Sequence, residues 1–231
     1  MKIKRILLTM VAAMLLVAIS VGGTLAWLQA ETGVVTNTFT VGEGINIDLD
    51  EAKVYAPGAE PDGTKFGQAI EGDGAERVKA NTYKLVPGWT YAKDPIVHLK
   101  AVSGDCYLFV KVVNGIKDIE VAGDTSIAAQ MTANGWNQLV ITKEDGSTET
   151  VTDVFFYGID DRTEGDVVSN KTEGAADANF PVFATFTIQN LSSIDATYTG
   201  DLVTIDAYAI QADGFANAAA AWDAGQHEFE N

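Results

Sequence analysis

The chain has 231 residues, 15 of them basic and 32 acidic, for a formal net charge of −17. That excess of carboxylates argues against nucleic-acid binding, which needs a basic face, and against electrostatic docking on an anionic membrane. Val, Ile, Leu and Phe make up about a quarter of the residues, above the ~20% below which a charged chain tends to stay disordered. The many Val, Ile and Thr residues lean the composition toward sheet.

The first thirty residues read as a secretory signal. Lys2, Lys4 and Arg5 precede a largely apolar run from Ile6 to Ile19, and the small residues Thr24 and Ala26 follow the helix-breaking pair Gly22–Gly23. A basic start, an apolar stretch and a small-residue site are what a signal peptidase requires, so cleavage is expected between Ala26 and Trp27. The alternative is an uncleaved anchor, since Ile6–Leu28 is long enough to span a ~30 Å hydrocarbon core. On the first reading residues 1–26 are the signal peptide, 27–231 form one secreted domain, and removal of the leader leaves the remainder more acidic still.

Along that remainder the elements are mostly short strands. Val34–Val41 is rich in β-branched residues, Gly42-Glu43-Gly44 turns the chain, and Ile45–Asp50 alternates apolar with polar, the period of a strand with one buried face. Residues 56–80 read as a long loop, Tyr83–Val86 as a brief strand, and Pro87-Gly88 as a turn. Ile96–Val102 and Tyr107–Val113 read as strands separated by a turn at Ser103-Gly104-Asp105. Asp124 or Ser126 can cap a helix over Ile127–Ala133 that Gly135 ends. Leu139–Ile141 and Thr150–Tyr157 flank Glu144-Asp145-Gly146 as a hairpin. Asp160–Asp177 reads as loop, Phe180–Ile188 and Leu202–Ile210 as strands, and Ala216–Trp222 as a short helix. Eight to ten short strands with frequent turns predict an all-β fold, a jelly-roll-like β-sandwich with one or two short helices and long loops.

No catalytic motif emerges. The two histidines, His98 and His227, lie far apart in sequence and form no His-Glu-x-x-His, the spacing that turns two imidazoles toward one zinc ion. No Gly-x-Ser-x-Gly is present. Cys106, the lone cysteine, excludes an intramolecular disulfide and reads as a buried hydrophobe, with an intermolecular crosslink or a reactive thiol as the alternative. Asp160, Asp161, Glu164 and Asp166 supply enough carboxylates for a calcium ion but not in EF-hand register, so a solvated acidic loop is the simpler reading. No catalytic residue, cofactor site or metal site is assigned, and the chain is expected not to be an enzyme. A surface adhesin or carbohydrate-binding module is the first alternative to a structural protein, and a secreted metallopeptidase the second; the adhesin would need Trp89, Trp136 and Trp222 to line an exposed platform, whereas core packing is the commoner fate of Trp.

Gly22-Gly23-Thr24-Leu25-Ala26-Trp27-Leu28, followed by Val35-Thr36-Asn37-Thr38-Phe39-Thr40-Val41-Gly42 and the alternating Ile45–Leu49 strand, resembles the TasA/camelysin family of Gram-positive bacteria. Tyr83–Gly88 with Lys93-Asp94-Pro95, and Ala207–Phe215, resemble further stretches of that family and its looser relatives. The resemblance covers the N-terminal sixty or so residues and islands beyond. It implies export through a signal peptidase of the SipW type and a jelly-roll subunit that assembles with itself into extracellular or cell-surface fibres of the biofilm matrix, with other matrix proteins as further partners. Camelysin relatives are classed as metallopeptidases; the zinc motif is absent here.

Cleavage would leave Trp27–Gly33 ahead of Val34–Val41, an arrangement suited to adding a strand to a neighbour's open sheet edge. Val35, Phe39 and Val41 share one face and are the expected anchors of that assembly strand. A head-to-tail contact of this kind propagates into a filament. The competing expectation is that Val34–Val41 is an ordinary strand of its own domain.

Overall fold

The computed structural model describes residues 44–58, 65–72, 75–143, 145–200 and 202–225. The chain divides into two units, Met1–Val41 and Gly42–Asn231, and every described residue belongs to the second. Among the described residues are eleven strands, all paired antiparallel, and two short helices.

One sheet has the order β2-β1-β4-β9, made of β1 (Ile47–Ala52), β2 (Arg77–Val78), β4 (Ile96–Leu99) and β9 (Ala178–Pro181). The second has the order β11-β5-β7-β6, made of β5 (Ser103–Asn114), β6 (Trp136–Thr142), β7 (Thr148–Tyr157) and β11 (Val203–Gln211), with β8 (Val168–Asn170) also paired to β5. A two-stranded ribbon joins β3 (Thr90–Ala92) to β10 (Thr185–Thr187). The all-β expectation therefore holds.

Strand periodicity places the core. Along β5, Cys106, Leu108, Val110 and Val112 point into the space shared with Val97 and Leu99 of β4, and all six are buried. Tyr107 and Phe109 point the other way, into a second cluster with Leu139, Val154 and Phe156, covered by α2 (Ala218–Gly225) through Ala218, Ala221 and Trp222. The near-continuous apolar run of β5 thus reflects burial on both faces. Helix α1 (Ile127–Ala133) contributes Ile127 and Met131 to the first cluster; the Ser126 hydroxyl accepts from the Ala129 N–H, and Gly135 follows at φ 91°. That cap and stop are the predicted ones.

Several boundaries differ from expectation, each for a physical reason. The first strand runs from Ile47 to Ala52, two residues beyond the alternating Ile45–Asp50 segment. Tyr83–Val86 is no strand, because the Tyr91 hydroxyl accepts from the Val86 N–H and donates to the Lys84 carbonyl, both at 2.7 Å, taking the groups a ladder would use. The turn expected at Ser103–Asp105 lies earlier, at Ala101-Val102, and passes the chain from one sheet to the other: Ser103 already pairs with Asn170, and the Gly104 N–H donates to the Gly44 carbonyl. The expected strand Phe180–Ile188 is divided, because after Pro181 the backbone crosses over. The Gln130 side chain caps the Ala184 and Thr185 N–H groups at the crossing. The loop over 56–80 contains β2, and the loop over 160–177 contains β8.

The β6–β7 hairpin has an enlarged bulge. Gln138 pairs with Phe155 and Val140 with Thr150, so residues 151–154 face the single Leu139, and Gln138 Nε2 spans the gap to the Val151 and Val154 carbonyls. Asp153 adopts φ 60° within it, the left-handed conformation that a bulge exploits.

Candidate functional site

Among the described residues, β11 is the longest edge strand. It pairs along its whole length with β5, from Val203–Asn114 to Gln211–Cys106, and among the described residues no strand pairs with its other side. Val203, Ile205, Ala207 and Ala209 face the sandwich core, and Tyr208 and Ile210 face the α2 cluster. Beside this edge lie two adjoining grooves of about 580 and 380 Å³. Tyr83, Leu85, Ile116, Phe186 and Leu202 give the larger an apolar lining, and Leu49 to Glu51 with Val203 to Ile205 line the smaller. Asn81, Lys93 and Val203 belong to both.

The groove floor is polar. Glu51 occupies the inward phase of β1, in step with Ile47 and Leu49, and is 4% exposed. Its carboxylate receives Lys93 Nζ at 2.6 Å on one oxygen and Asn81 Nδ2 at 2.9 Å on the other. Asn81 also donates to the Ala52 carbonyl and accepts from the Val54 N–H at 2.9 Å. Lys93 is 8% exposed, and its ammonium lies 5.9 Å from the centre of the Tyr83 ring. Burial, with a smaller contribution from Glu51, pushes the Tyr83 phenol well above its ordinary value; burial pushes Tyr91 up to about 12. Both therefore act as neutral hydrogen-bonding rings at physiological pH.

A second network covers the outer face of the same sheet. The Arg77 guanidinium contacts Asp50 and reaches Asp94 at 3.1 Å, and Asp94 accepts from the Ala52 N–H at 2.6 Å. His98 Nε2 lies 2.9 Å from Asp50 Oδ1, and its Nδ1 lies 2.6 Å from Asn179 Oδ1. Burial raises the Asp50 pKa, but hydrogen bonds from Arg77 and His98 outweigh that and hold the carboxyl below its ordinary value. His98 is thus a buried, doubly bonded strand residue. His227 lies outside the described residues.

The remaining residues singled out by sequence fall as follows. The cleavage pair Ala26 and Trp27 and the assembly-strand residues Val35, Phe39 and Val41 lie outside the described residues. Asp166 accepts the N–H groups of Ile159, Asp160 and Asp161, and Asp161 accepts those of Thr163 and Glu164. These two carboxylates hold the loop's own backbone, and among the described residues no group of three or more His, Cys, Asp or Glu side chains converges as a metal site. Cys106 is fully buried, and burial pushes its thiol up to about 12. Trp136 and Trp222 are buried, and Trp89 is half-buried and stacked on Phe66 at 5.1 Å, so the three do not form an exposed platform.

Sequence reasoning missed Glu51, Asn81 and Lys93. One signal was available: in the alternation Ile45, Ile47, Leu49, the next inward position holds a glutamate, and a buried carboxylate demands a partner.

Comparison of the chain with protein-family models, with curated proteins and with solved structures finds no match.

Proposed function

We propose that the chain is a secreted structural protein, a jelly-roll subunit of extracellular or cell-surface fibres in a biofilm matrix, and that it assembles with itself by strand addition after a SipW-type peptidase removes Met1–Ala26. The observation that carries this reading is the nine-residue β11 edge with a groove of apolar lining and polar floor beside it. An edge that no described strand covers offers main-chain hydrogen bonds to an incoming strand, and a groove beside it offers pockets for alternate side chains. The eight residues Val34–Val41 match β11 closely in length and carry Val35, Phe39 and Val41 on one face. Supplied by a neighbouring copy, that segment would extend the sheet and continue the chain of subunits. Two antiparallel sheets with a long edge support the jelly-roll description, and the acidic surface keeps subunits apart until the strand engages.

Deleting Trp27–Val41 and examining the purified product by electron microscopy and size-exclusion chromatography tests the reading. A folded monomer that forms no fibres is the expected outcome. Normal fibres from the deleted chain would eliminate strand donation, and an unfolded product would return Val34–Val41 to its own domain.

A further inference from the structure

We infer that Lys93 and Asn81 form an intramolecular isopeptide bond, with Glu51 as the proton-transfer group. The inference stands independently of the fibre reading.

The three side chains have the features this condensation needs. The two oxygens of one carboxylate hold the lysine amine and the asparagine amide side by side, at 2.6 and 2.9 Å. Holding nucleophile and electrophile together removes most of the entropic barrier to their reaction. The Glu51 and Lys93 side chains are only 5% and 10% exposed, so the reacting groups are held largely out of bulk water. The Val54 N–H donates to Asn81 Oδ1, where negative charge develops when the amide carbon is attacked. The Tyr83 ring lies on one side of the cluster, 5.9 Å from the ammonium.

The step balances without a cofactor. Glu51 takes a proton from the Lys93 ammonium, and the neutral amine attacks Asn81 Cγ. The Nζ–Cγ bond forms; Glu51 returns the proton to Nδ2 as the Cγ–Nδ2 bond breaks, and ammonia leaves through the groove that Asn81 and Lys93 line. The remaining amine proton is released to solvent, where ammonia takes it up. No atom changes oxidation state. The product ties residue 81 to residue 93 and fastens the intervening Tyr83–Tyr91 segment beneath the groove. In a chain with one cysteine, this provides a covalent closure that a disulfide cannot.

Intact-mass spectrometry of the purified full chain, followed by tryptic mapping, tests it. The wild type is expected to be lighter by one ammonia and to give a branched peptide joining residues 80–84 to 85–100. Lys93→Arg and Glu51→Gln are both expected to keep the ammonia and give no branched peptide. Separate, unmodified peptides from the folded wild type overturn the proposal. So does ammonia loss mapped instead to Asn114-Gly115 or Asn134-Gly135, where succinimide formation produces the same mass change. Branched peptide from a folded Glu51→Gln chain would overturn the role given to Glu51.

Discussion

Leu108 and Phe109 are adjacent, both fully buried, and belong to different cores. Their opposite facing can be tested through Trp222 of α2, whose ring centroid lies 5.0 Å from that of Phe109 at 52°. Large truncations at these sites cost about 3–5 kcal/mol each and two together would approach the whole stability of a domain, so milder changes are preferable. Phe109→Leu and Trp222→Leu should each destabilise by about 1–2 kcal/mol, and Leu108→Val by about 1 kcal/mol. An aromatic pair contributes about 0.5–1.5 kcal/mol beyond its buried area. The Phe109→Leu/Trp222→Leu double variant should therefore be less unstable than the sum of its singles by that amount. Leu108→Val/Trp222→Leu should be additive within about 0.5 kcal/mol, because the two residues share no core. Urea unfolding followed by far-UV circular dichroism measures the wild type and all five variants without relying on the altered tryptophan. Coupling of Leu108 to Trp222 as strong as that of Phe109 would refute the two-faced placement of β5.

Glu120 is 6% exposed; burial raises its pKa above the ordinary 4.5, against the opposing hydrogen bonds from the Ile127 N–H and Asn114. The folded chain thus holds this proton more tightly than the unfolded one, and stability falls as pH rises from the unfolded value through the folded one. Glu120→Gln should remove that loss, so thermal melts should show the variant gaining on the wild type between acid and neutral pH; a constant difference would count against the assignment. Val102 is a β-branched residue at φ 63° in the two-residue turn between β4 and β5, and it is 48% exposed. Val102→Gly should relieve about 1–2 kcal/mol of crowding against about 0.5–1 kcal/mol of added chain entropy; a small rise in Tm is expected, and an unchanged or lower Tm would contradict it. Cys106 should resist thiol reagents in native buffer and react at once in denaturant; rapid labelling of the native chain would show that the thiol is accessible.

How far the sequence discloses the structure depends on how local the cause is. The α1 cap at Ser126 and stop at Gly135 are settled within a few residues, and the β6–β7 hairpin by its own turn, so both were legible. The fate of Tyr83–Val86 was not, because the competing hydroxyl sits on Tyr91 and reaches back only once the chain is folded. The division of Phe180–Ile188 depends on Gln130, over fifty positions away. The Glu51–Asn81–Lys93 cluster shows the same limit: the inward glutamate can be read from the alternation of β1, but its partners lie on two later segments with no pattern linking them.

The pairing of β5 with β11 has a consequence for timing. Cys106 meets Gln211, and Asn114 meets Val203, so the central strand of the larger sheet acquires one neighbour only after nearly the whole chain exists. Closing so long a loop before any contact rewards it makes folding slow. For a polypeptide exported as proposed above, that delay is useful. In a chain threaded outward from its N-terminus, β5, β6 and β7 would emerge before β11, so the sheet would be completed only on the far side of the membrane.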